Sequence, residues 1–140
     1  LLNKPWEEGS VGRTMHAMLY IAMCVRLGRS ERALEMVEST LATIERSEER
    51  WLEPEIHRLR GEALRSRDDI VAAGRAFGTA IAAARKLGAS SLELRATLSL
   101  HALATGAKKK RARDDVARLL SVITEAQDTP DLVDARAVVG

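Results

Sequence analysis

The chain has little of what usually betrays a protein's chemistry: one cysteine, two tryptophans, one tyrosine, one phenylalanine and three prolines in 140 residues. A lone Cys24 forbids an internal disulfide and any zinc site built on cysteines, so a reducing cytoplasm is the expected setting. The longest apolar run, Ala17 to Val25, is far shorter than the roughly 20 residues of a membrane-spanning helix. The N-terminus lacks the pattern of a signal peptide, and no membrane contact is expected. The chain opens Leu1-Leu2-Asn3 without an initiating methionine, which reads as a fragment of something longer. Neither sign of charge dominates. A net charge of +2 does not by itself call for nucleic acid or anionic lipid.

What is present is alanine, leucine and charge. With 46% apolar and 30% charged residues, the mixture favours packed helices over sheets. The helices come in pairs, each pair joined by a tight polar turn. The first spans about 13–47 with Gly28-Arg29-Ser30 at its turn, the second 54–87 with Arg67-Asp68-Asp69, and the third 91–126 with Gly106 and the lysines that follow. A short helix over 130–139 caps the end. Pro54 and Pro130 stand where a first helical turn tolerates proline. Gly28, Gly88 and Gly106 stand where helices should end, and Ser30 is placed to cap the second helix.

The period is legible in the second helix of each pair. Ala33, Ala73 and Ala112 lie 40 and 39 residues apart. Each opens an i, i+4, i+7 face: Ala33, Val37, Thr40; then Ala73, Phe77, Ala80; then Ala112, Val116, Leu119. Small side chains on such a face let two helices approach closely while the bulky one fills the gap. Gly61 fits this scheme. It interrupts the helix whose apolar stripe is Ile56, Leu59 and Leu64, at a loss of about 1 kcal/mol in helix propensity. A bare backbone at the crossing with the partner helix offsets that loss. The placement of Gly61, Ala73, Phe77 and Ala80 is the tetratricopeptide arrangement. The expected fold is therefore all-α, a tetratricopeptide-like, right-handed array of three helix pairs and a capping helix, forming one domain over 1–140.

Three blocks, WLEPEIHRLRGEAL (51–64), GASSLELRATLSL (88–100) and EAQDTPDLVDA (125–135), together resemble one family, the C-terminal helical-repeat region of large bacterial signalling ATPases. In that family an output domain, often an adenylate or guanylate cyclase or a winged-helix or LuxR-type DNA-binding domain, precedes a nucleotide-binding switch and then the repeats. The resemblance covers roughly residues 50–135. It implies protein interaction and regulation inside a larger signalling protein, with catalysis confined to the upstream domains. The AKKKRAR segment (107–113) is more basic than the family's usual turn.

Few constellations carry chemistry. No phosphate-binding loop is present: Gly74 and Gly78 have the spacing of two loop glycines but sit in a helical stretch without the lysine. His16, His57 and His101 fall one per pair at non-equivalent positions, so they are read as structural or solvated. Asp68-Asp69 and Asp114-Asp115 lie near helix starts, where negative charge favours the dipole. Neither catalytic residues, cofactor nor metal are expected. Three surfaces are candidates for partners. Glu55, Arg58, Glu62 and Arg65 form a charged face for a concave peptide groove, although their i, i+3 and i+4 spacings also satisfy them within one helix. Met15, Met18, Ile21 and Ala22 mark a first helix so apolar that an upstream repeat, a neighbouring domain or a second copy should cover it. Lys108, Lys109, Lys110, Arg111 and Arg113 form a basic turn, either merely solvated or contacting phosphate or an acidic partner, with nucleic acid as the alternative function.

Overall fold

The computed structural model describes residues 11–47, 49–123 and 129–140. The expected end of the third pair at residues 124–126 lies outside them. The described chain is all-α: α1 (Val11–Arg26), α2 (Ser30–Ser47), a short 3-10 turn (Arg50–Leu52), α3 (Glu53–Arg65), α4 (Ile70–Leu87), α5 (Ser90–Leu103), α6 (Gly106–Val122) and α7 (Pro130–Val139). Each helix packs chiefly on its neighbours in chain order. In addition α1 touches α3, α3 touches α5 and α5 touches α7. Turns of two to four residues make α1 and α2 antiparallel, and likewise α3 to α6 in succession. The Ser30–Ser66 contact sets the α1–α2 turn beside the α3–α4 turn, so α1, α3 and α5 run side by side in one direction, and α2, α4 and α6 in the other.

The turns share one chemistry. After α1, the amide of Gly28 donates to the Val25 carbonyl and that of Arg29 to the Cys24 carbonyl. After α3 the pattern returns as Asp68 to Arg65 and Asp69 to Leu64, and after α4 as Gly88 to Arg85 and Ala89 to Ala84. These double bonds need a left-handed residue just past the helix. Gly28 (φ 71°) and Gly88 (φ 65°) supply it, and Asp68 adopts it at φ 60° without being glycine. Asp69 then caps α4 by accepting from the Ala72 amide at 3.2 Å. Thr129 does the same for α7 ahead of Pro130.

Two expectations about helix starts are corrected. Ser30 is the first residue of α2 rather than its cap, and its hydroxyl meets the Ser66 hydroxyl at 2.6 Å, tying the first two turns together. Gly106 begins α6 instead of ending α5. Ala104 and Thr105 are extended, so α5 stops at Leu103 and the following lysines, which are good helix formers, enter the first turns of α6.

The three repeated faces are all in the core. Ala33, Val37 and Thr40, Ala73, Phe77 and Ala80, and Ala112, Val116 and Leu119 are each buried. Gly61 sits against the ring of Phe77. A methyl built on it would come within 3.0 Å of Cδ1, Cε1 and Cζ. The glycine is kept because the aromatic ring occupies the place of its side chain.

Candidate interaction surfaces

The charged face of α3 turns toward α5 and is largely used up by the fold. Glu55 is only 6% exposed; it accepts from Arg58 at 2.8 Å and from Arg95 of α5 at 3.4 Å. Arg58 also reaches Glu62 at 3.3 Å and the Ser99 hydroxyl at 3.3 Å, while Arg65 pairs with Glu62 at 2.7 Å. Glu55 and Glu62 thus hold α3 to itself and to α5, and Glu55 is not open to a ligand. Arg95 continues the seam to Asp131 of α7 at 2.9 Å. Beside it lies a groove of about 580 Å³ lined by Arg58, Leu94, Arg95, Ile123, Asp131 and Leu132. Arg95, Ser99 and Asp131 are absent from the residues singled out in the sequence. No local pattern marks them, since Arg95 falls outside the 39-residue register of Arg58.

The apolar end of the molecule also differs in detail. Ile21 is fully buried between α1 and its neighbours, and Met18 and Ala22 pack against the same core. Met15 is half-buried. Ile21 therefore belongs to no surface. The large apolar side chains of α1 left in solvent are Leu19, Tyr20 and Met23. The 40-residue offset explains which these are. Ile21 stands where Gly61 stands in α3, Leu19 where Leu59 stands, and Met23 where Ala63 stands. Leu59 and Ala63 are 3% and 0% exposed because they pack into the core shared with α1 and α2; Leu19 and Met23 are 56% and 49% exposed. Beside them a cleft of about 330 Å³ opens between α1 and α2, lined by His16, Ala17, Tyr20, Met36, Thr40 and Thr43.

The basic segment is helical, as described above. Lys108, Lys109, Lys110 and Arg111 are exposed and make no ion pair or hydrogen bond through their side chains among the described residues, whereas Arg113 donates to the Val139 carbonyl at 3.0 Å.

The histidines are not brought together as ligands: among the described residues no group of three or more His, Cys, Asp or Glu is placed to hold a metal ion. His16 is exposed, its Nδ1 beside the Gly12 carbonyl. Burial pushes the His57 imidazole below its ordinary range, against the weaker pull of Glu53 at 3.9 Å. His101 is lowered too, by burial first and then by Lys109 and Arg113. Glu93, 6% exposed, is shared by Arg85 and Arg118 at 2.7 Å each and fastens α4, α5 and α6 together. No helix among the described residues is long and apolar enough to cross a membrane. No family model, curated protein or solved structure matches this chain.

Proposed function

We propose that the chain is a protein-interaction and regulatory module: a tetratricopeptide-like array belonging to a larger bacterial signalling protein with a nucleotide-binding switch and a cyclase or DNA-binding output domain. It has no catalytic role and no cofactor of its own in this reading. The observation that carries it is the contrast between α3 and α1. The same apolar positions are covered by a preceding helix pair in α3 and left open in α1. A face built to the same plan as a buried one suits the same kind of cover: a helix pair, a neighbouring domain or a second copy of the chain. The groove beside Arg95 supports a second, peptide-sized contact on the odd-helix side. Regulation then requires that whatever covers these surfaces binds one state of the switch better than the other.

The strength of the α1 contact can be bounded. Covering what is still exposed of Leu19, Tyr20 and Met23 contributes about 2–4 kcal/mol, against an association cost of about 4–15 kcal/mol. In isolation the face supports weak association, and a tethered partner, spared much of that cost, binds it well. Light scattering over a concentration series tests this. The chain should rise above 15.3 kDa as concentration increases. Leu19→Glu with Met23→Glu should hold it at the monomer mass with helicity by circular dichroism unchanged. A chain that stays monomeric throughout, or a double variant that associates equally, would count against the reading.

A further inference from the structure

We infer that the edge formed by the α1–α2, α3–α4 and α5–α6 turns is a second docking surface, fitted to an acidic amphipathic segment of a partner protein. Antiparallel succession places these three turns on one edge. The Ser30–Ser66 hydroxyl contact joins the first two, and Gly74 near the start of α4 faces Leu103 at the end of α5, where a Cβ would meet its Cδ2 at 3.8 Å. Three features of this edge converge on one partner chemistry.

The first is unspent positive charge. Arg26, Arg29 and Arg67 in the first two turns, and the run 108–111 in the third, have no acid partner among the described residues. Arginines near the opposite edge do: Arg85 and Arg118 share Glu93, and Arg50 holds Glu53 at 3.1 Å. Glu31, Asp68, Asp69 and Asp114 lie on the basic edge as well, but the cations outnumber them and are concentrated in the third turn.

The second is that electrostatics within the fold does not favour the lysines where they stand. They occupy the first turns of α6, which hold no acid in the first turn. Cations there oppose the helix dipole and repel one another. A solvated face would be served as well by mixed charges.

The third is aliphatic surface on the same edge, since Leu27, Ile70 and Val71 are exposed at the first two turns. A phosphodiester backbone offers these residues nothing, and among the described residues the edge presents no aromatic for base stacking. A bilayer interface is usually met with tryptophan or tyrosine, and among the described residues the edge presents neither. An acidic segment with interspersed apolar side chains answers both the charge and the aliphatics. This surface is distinct from the α1 face and does not depend on it.

The test is fluorescence anisotropy with the 140-residue chain and four probes at low salt: a labelled 16-residue peptide of Asp and Glu interspersed with Leu, an all-Glu peptide of equal length, a short DNA duplex, and phosphatidylcholine–phosphatidylserine vesicles. The amphipathic peptide should bind best. Its affinity should fall about tenfold or more when Lys108, Lys109 and Lys110 become alanine, with helicity retained or increased. Val71→Ser should weaken the amphipathic peptide and leave the all-Glu peptide unchanged. Leu19→Glu with Met23→Glu should change neither, which separates this surface from the one on α1. Tighter binding of DNA or of vesicles, equal binding of the two peptides, no binding of the amphipathic peptide, or indifference to the lysine variant would each overturn the inference.

Discussion

Gly61 and Phe77 are a matched pair, one lacking a side chain where the other needs room. Alanine at 61 gains about 1 kcal/mol in helix propensity. It must also displace a fully buried ring, and overpacking of that kind costs about 1–3 kcal/mol. Gly61→Ala should therefore be net destabilising in urea melts and nearly harmless in a Phe77→Leu background; an equal cost in both backgrounds would refute the contact. Asp68 offers the opposite opportunity. It holds the left-handed turn position that glycine fills at 28 and 88, so Asp68→Gly should stabilise by up to about 1 kcal/mol. A Cβ at Gly88 meets nothing within 4 Å, so Gly88→Ala should cost about the same through backbone strain alone, both read from thermal melts. The small-large-small faces and Gly61 were legible in the sequence because they depend on helical spacing and side-chain volume. The strained aspartate was not, because nothing local marks a non-glycine at positive φ.

At the scale of the helix, partial burial on α3 disfavours the charged form of His57. Burial lowers the His57 pKa from its ordinary 6.5, opposed by Glu53 and helped by Arg60. The unfolded chain then binds the proton more readily than the folded one. The stabilising difference is present above pH 6.5 and is lost as pH falls from there through the folded value. His57→Gln should lose less stability than the parent chain between about pH 7.5 and 5.5, measured by urea melts; identical losses would show that His57 is solvated. Helix boundaries were read well where proline, an acidic cap or a Schellman glycine sets them, as at Pro54, Asp69, Gly88 and Pro130. They were misread at Gly106. That glycine has the positive φ expected of a terminator (57°), but the extended Ala104 and Thr105 already end α5, so it opens α6 instead. The charged face of α3 was found in the sequence, but its partners Arg95 and Ser99 come from α5, and Asp131, which holds Arg95, from α7. Only tertiary packing shows that Glu55 is buried and spoken for.

At the scale of the molecule, α1, α3, α5 and α7 touch in succession, and among the described residues α1 keeps Leu19, Tyr20 and Met23 exposed at the end of that row. The sequence signalled an apolar first helix. It did not show which face remains open, because a helix that is apolar nearly all round gives no phase; burial of Ile21, Met18 and Ala22 supplies the phase and leaves Leu19, Tyr20 and Met23 outside. The chain's four methionines, Met15, Met18, Met23 and Met36, all lie in α1 and α2 and make a direct probe. The measurement is a concentration series of methyl spectra with the methionine methyl groups isotopically labelled. The account predicts that the Met23 signal shifts progressively with concentration while that of Met18, packed on the core, holds still, and that Leu19→Glu abolishes the shift. A Met23 signal unmoved over the whole range, or a Met18 signal that moves in its place, would contradict it.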